Sequence, residues 1–285
     1  MLRLRALRPA VLGVGLLAAA LPHAGRAQAA VPAAGPAAVA GARTDTIRPA
    51  PIVTRGDLGR LALGAVAATA LIPVDRAVRD ALRRPGLQEN GTLGSLEQLG
   101  DAWGGGGTLV AGVALWGGGR LAHRPTVAAA GLRAVEAVAV SGVITGTLKG
   151  ILGRARPRVD STEVRDFRLL RGMEEGGDYQ SMPSGHTTAA FAFAAAVTNE
   201  VAMRSPAYAR AVGITTFTLA GVTGWSRMHS NAHWLSDVTM GATVGMVSGW
   251  AVTRWHRTRP GNRVDAWVLG VPGGRTRLGV SVAWR

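Results

Sequence analysis

Residues 183–204 read PSGHTTAAFAFAAAVTNEVAMR. A polar turn, Pro183-Ser184-Gly185-His186, opens onto an apolar run that stays nearly unbroken up to Asn199 and Glu200. Ser184 is placed to cap a helix running from about Ser184 to Met203. A helix that is apolar almost all round is either the buried core helix of a bundle or a bilayer span. The chain on either side repeats the pattern. Helices are expected from Asp57, as N-cap, to Leu82 with Pro73 dividing them, then over 108–122 after the breaker Gly104–Gly107. Further helices are expected over 127–152, 208–224 and 233–255. The expected fold is all-α: a bundle of about six core helices with the active site at their ends, plus a short C-terminal β-hairpin.

Composition supports a packed domain and narrows its partners. The chain has 285 residues, 47% hydrophobic and 17% charged, against roughly 25% charged in an average soluble domain. Disorder throughout is excluded, because it needs low hydrophobicity and high charge. Cysteine is absent, so there is no disulfide framework, thiolate metal site or cysteine nucleophile. The formal net charge of +15 points to an anionic partner: nucleic acid, a membrane surface or a phosphorylated substrate. The basic residues are nearly all Arg, are scattered rather than clustered, and lack interleaved aromatics, so no nucleic-acid partner is expected.

The two ends read differently from the middle. Arg3, Arg5 and Arg8, the apolar stretch Pro9–Leu21 and Ala27-Gln28-Ala29 have the order of a secretory signal peptide, assigned to 1–29. Residues 30–55 are an Ala/Pro-rich flexible linker. The helical domain covers 56–258. In the tail, 259–285, an alternating segment from Thr276 to Trp284 pairs with Val264–Val271 around Pro272–Arg275 as a β-hairpin.

Three clusters carry chemistry. Lys149 and Arg156 are two helical turns apart and share a face if the helix persists, so two cations can converge on a phosphate. Lys149 is the only lysine in a chain whose other basic residues are arginines, a compact point charge where a planar fork is otherwise preferred. Pro183-Ser184-Gly185-His186 precedes a helix whose N–H groups form an anion site, with His186 beside it as acid or base. Ser226-Arg227 is followed by His233 and Asp237, neighbours on one helical face. There the carboxylate can fix the imidazole tautomer and leave the other nitrogen free to attack. Each cluster alone also reads as an ordinary helix end or cap.

Together, and in this order, Lys-x6-Arg-Pro, Pro-Ser-Gly-His and Ser-Arg-x5-His-x3-Asp resemble the type 2 phosphatidic-acid phosphatase superfamily, which includes bacterial acid phosphatases, lipid phosphatases and vanadium haloperoxidases. The resemblance covers roughly Thr145 to Gly245, with Met182 where an aromatic is frequent. It implies a metal-independent phosphatase acting on phosphomonoesters or lipid (pyro)phosphates. His233 would attack phosphorus to form a phosphohistidine, Asp237 would orient it, and His186 would protonate the leaving oxygen. Lys149, Arg156, Ser184, Gly185 and Arg227 would bind the phosphoryl oxygens, with no metal and no cofactor. The alternatives are a vanadate-dependent haloperoxidase, with His233 as the vanadium ligand, and a non-catalytic phosphate- or lipid-binding protein.

Topology bears on location. In a six-span arrangement the three clusters face one side, yet a cleaved signal peptide would then leave them in the cytoplasm. Arg in successive loops gives no orientation. The expected reading is an exported, periplasmic helical bundle, with membrane contact left open. The sequence carries no readable signal of oligomeric state.

Overall fold

The computed structural model describes residues 51–259. The signal peptide and most of the linker fall outside them, as does the segment expected to form the hairpin. The described residues are helical, with no strand and only an isolated bridge between Arg154 and Phe167.

Helix α1 spans Arg55–Leu71. Its N-cap is Thr54, not Asp57. Asp57 is the third helical residue and closes a capping box: its backbone N–H donates to Thr54 Oγ1 at 3.1 Å, and Thr54 N donates back to its carboxylate at 2.9 Å. Pro73 divides the expected long helix through a 3-10 turn, Ile72–Val74, after which α2 runs Asp75–Leu82. A single turn α3, Pro85–Gln88, leads into α4, Gly91–Ala102, which Asn90 caps through its side chain. The glycine run interrupts the helix as expected, with Gly106 in a non-helical conformation at φ 156°. Trp103–Gly107 forms a π-turn joining α4 to α5, Thr108–Leu121. Then follow α6, Pro125–Leu152, the single turn α7, Arg171–Glu174, and a 3-10 turn, Gly177–Tyr179. The last three helices are α8, Gly185–Arg204, α9, Pro206–His229, and α10, Leu235–Arg257.

Helix α8 is the centre, packed against α6, α9 and α10. Ala192, Phe193, Ala196, Val197 and Val201 of α8 join Ala130, Ala134, Ala137 and Val138 of α6 and Leu115 of α5 in one apolar cluster. Small side chains let the helix backbones approach closely, so stability there comes from many dispersion contacts rather than from large buried residues. Trp103 meets Phe193 edge-on at 5.2 Å and ties the π-turn to this core.

Short connections fix the direction of the helices. Ser205 alone separates α8 from α9, and 230–234 separate α9 from α10. The N-termini of α8 and α10 and the C-terminus of α9 therefore meet at one end, where the C-terminus of α6 also arrives. Away from the core, large apolar side chains face outward: Leu63 (70% exposed) and Val66 on α1, Val110 on α5 and Val143 (72% exposed) on α6. Residues 55–82 and 125–152 are long and apolar enough to cross a membrane.

Candidate active site

Helix α6 delivers Lys149 in its last turn and then stops. Gly153 takes a left-handed conformation, φ 54°, and a Cβ there would lie 2.0 Å from Arg168 O. The helix therefore does not persist to Arg156, and the shared-face expectation fails. The chain turns instead and sends two arginines inward by different routes.

Arg154 is buried. Its Nη1 donates to Asp237 Oδ1 at 2.6 Å and Ser236 Oγ at 2.7 Å, and its Nη2 to Asp75 Oδ2 at 2.8 Å and Val164 O at 2.7 Å. Its guanidinium stands 4.9 Å from the Phe167 ring and 5.5 Å from that of Trp234. Asp75 in turn accepts from Ser236 N at 2.9 Å. Arg156 reaches His233: Nη1 donates to His233 Nε2 at 3.1 Å and Ala232 O at 3.0 Å, and Nε to Gly177 O at 2.7 Å.

His233 sits just ahead of α10, and Asp237 is that helix's third residue. Trp234 N donates to Asp237 Oδ2 at 2.9 Å, so the helix cap itself holds the carboxylate. Ser181 Oγ adds a 2.5 Å bond to the same oxygen. His233 Nδ1 faces Asp237 Oδ2 at 3.5 Å, a long contact, and has no nearer partner among the described residues. Because Nε2 accepts from Arg156, the ring hydrogen is assigned to Nδ1, on the carboxylate side. Burial, which disfavours the charged ring, holds His233 well below the ordinary imidazole range despite the opposing pull of Asp237. The result is a neutral imidazole whose Nε2 lone pair accepts from Arg156.

The other motif residues converge on this pair. Lys149 Nζ donates to the carbonyl of Gln180 and lies 3.5 Å from that of Ser181. Gly185, the first residue of α8, faces the same side chain: a Cβ there would meet Lys149 Cε at 3.6 Å. Ser184 occupies the N-cap of α8, but its side chain caps no helix N–H as expected. Its Oγ accepts from Thr187 Oγ1 at 2.9 Å, and its N–H donates to Asp237 O at 3.0 Å. Helix α9 extends past its expected end, so Ser226 and Arg227 lie in its last turn rather than in a loop. The Arg227 carbonyl accepts from His233 N at 3.0 Å.

Asp101, which the sequence did not single out, bridges the remaining two. Its Oδ1 accepts from Arg227 Nη1 and lies 3.4 Å from His186 Nε2. The π-turn makes this approach possible, since a Cβ on Gly104 would lie 2.7 Å from His186 Cβ. Replacing Asp101 by asparagine keeps the volume but removes the charge that orients both cations. The expected result is a fall of about tenfold in kcat/KM. The basic limb of the pH profile should also move to lower pH, because a protonated His186 loses its carboxylate neighbour. An unshifted limb would leave Asp101 with a packing role only.

Three further partners were missed. Arg154 stands among Arg156 and Arg158, which look alike in sequence, and Asp75 follows a proline turn with no motif around it. His229 is buried, with Nδ1 against Glu97 and its ring stacked 4.6 Å from that of Trp225. Its side chain ties the end of α9 to α4 through Glu97. Among the described residues no group of three or more His, Asp or Glu is arranged to hold a metal ion.

The PAP2 superfamily model matches residues 130–260. The lipid A 1-phosphatase of Porphyromonas gingivalis is 40% identical over 100 residues, which are 31% of this chain and 22% of that protein. The crystal structure of a transmembrane PAP2-type phosphatidylglycerolphosphate phosphatase from Bacillus subtilis superposes with a TM-score of 0.53 at 20% identity, covering 74% of this chain and all of the other. At that identity the structure speaks for the fold alone.

Proposed function

Because residues 130–260 match the PAP2 superfamily model, we propose that the chain is a metal-independent phosphatase of lipid phosphates that works through a phosphohistidine on His233. The observation that carries the reading is the placing of His233: Nε2 beside Arg156 at 3.1 Å, Nδ1 toward Asp237. Nε2 attacks phosphorus and the bond to the leaving oxygen breaks. His186 gives that oxygen its proton. Lys149, Arg156 and Arg227 hold the three other phosphoryl oxygens and offset the charge gathered in the transition state, with Ser184 Oγ and Gly185 N–H as neutral donors. Water then attacks the phosphohistidine, His186 takes its proton, and the P–N bond breaks to release phosphate.

Lipid substrates are favoured over soluble ones by the outward apolar side chains on α1, α5 and α6, which suit a bilayer better than water. The lipid A 1-phosphatase that this chain resembles over 100 residues is named for a phosphate carried on a lipid. A membrane-attached enzyme, rather than a free periplasmic bundle, follows from the same surface. The test is a substrate panel in EDTA: lipid A 1-phosphate, phosphatidylglycerolphosphate and p-nitrophenyl phosphate. Turnover of a lipid well above the soluble ester supports the reading. Preference for the soluble ester, or loss of activity that a divalent metal restores, contradicts it.

The state of His233 predicts the acid limb. The nucleophile must be unprotonated, and its lowered pKa keeps it so well below pH 6.5. The acid limb of kcat/KM should therefore fall clearly below 6.5. A limb above that value would mean that the imidazole is not buried in the working enzyme.

A further inference from the structure

At the far end of the bundle from the motif residues, Arg60, Asn199, Trp250, Arg254 and Arg257 line a cavity of about 260 Å³. About 26 Å of α10 separate Asp237 from Arg254 at 1.5 Å per residue, so no catalytic group reaches it. The cavity is smaller than the roughly 300–1,000 Å³ of drug-sized pockets, and suits a compact group. Three guanidinium groups face one carboxylate. Asp57 takes Arg254 Nη2 at 2.5 Å and lies 3.3 Å from Arg60 Nη1, which leaves a net positive charge. Arg257 meets only Met203 Sδ, at 3.9 Å, among the described residues. Arg254 Nε is buried and has no partner among them. Glu200, beside Asn199, is taken up by Arg204, and Glu136 by His256, so neither neutralises the cluster. The Arg60 guanidinium lies 5.2 Å from the Trp250 ring, which holds that fork over an apolar wall.

Helix ends do favour basic residues in their last turn, as at Arg254 and Arg257 of α10. Arg60 lies in the first turns of α1, where acidic residues are favoured; it pairs with Asp57 one turn earlier and also lines the cavity. Leu58, Leu63 and Val66 are exposed on the same helix.

We propose that this cavity is a second anion site, binding the phosphate group of a lipid headgroup or free phosphate at the opposite end of the bundle from the catalytic cluster. It does not rest on the catalytic reading, since it shares no residue with it.

The experiment compares the full chain in detergent with Arg60→Ala/Arg257→Ala and with Arg156→Ala/Arg227→Ala as the catalytic-site control. Native mass spectrometry follows adducts of dioleoyl phosphatidylglycerol against dioleoyl phosphatidylcholine, and calorimetry follows inorganic phosphate. Arg254 is kept because it pairs with buried Asp57. Losing two charge-assisted donors should weaken binding about tenfold or more. If phosphatidylglycerol adducts fall in the Arg60/Arg257 pair and persist in the control, the ligand is a headgroup. If one phosphate site disappears instead, it is the free anion. Both ligands bound by that pair as tightly as by the unaltered chain, or lost only from the control, would overturn the site. Should the pair not fold, Arg257→Ala alone, an exposed side chain, carries the same comparison.

Discussion

Replacing His233 by alanine is expected to lower kcat by about 10⁵-fold or more, because the proposed nucleophile is removed while the cations proposed to bind substrate remain. The fold should survive. His233 packs at a loop end, and its neighbours are held independently: Asp237 by Arg154, Ser181 and the α10 cap, and Arg156 by Gly177 and Ala232. Thermal midpoint and kcat measured on one preparation check both halves. A folded His233→Ala protein that turns over within tenfold of the unaltered chain would remove the nucleophile from this account.

The second large effect is on stability. Arg154→Met is expected to cost about 3–5 kcal/mol, because it leaves Asp75 and Asp237 buried with no cation between them. Four of the guanidinium's hydrogen bonds join the turn after α6 to the starts of α2 and α10 and to Val164. Arg154→Lys keeps a charge but cannot span two carboxylates from one planar fork, so it should rescue only part of the loss. The check is the thermal midpoint of both variants against Arg158→Ala, whose partner pair with Asp178 is exposed and contributes about 0–1 kcal/mol. Equal midpoints for Arg154→Met and Arg158→Ala would show that the buried network does not hold the site together.

That contrast marks how far the sequence was legible. The opening of α8, the division at Pro73 and the eight motif residues could be read because their signals are local: a cap, a proline, a fixed spacing. The structure brings all eight to one end of the bundle, although not in the way the spacing suggested, since Gly153 ends α6 between Lys149 and Arg156. Helix α4 was missed because its glycines, and the four that follow it, read as a break. Arg154, Asp75 and Asp101 were missed for a different reason. Their meaning lies in partners far along the chain, 79 residues between Arg154 and Asp75 and 126 between Asp101 and Arg227. Nothing in a local window separates them from the many arginines and aspartates that only face solvent. The expected hairpin and signal peptide lie outside the described residues.

In the proposed reaction, phosphate passes through a covalent bond to His233 Nε2. The most direct measurement is to quench turnover in alkali, where phosphohistidine persists, and locate the phosphate by peptide mass spectrometry. His186→Ala turning over p-nitrophenyl phosphate is the protein to use beside the unaltered chain: that leaving group departs without a proton from His186, whereas hydrolysis of the intermediate lacks its proton acceptor, so the adduct accumulates. The account predicts phosphate on the peptide carrying His233, more of it in His186→Ala and none in His233→Ala. Phosphate on another residue, or turnover with no adduct in either protein, would contradict it.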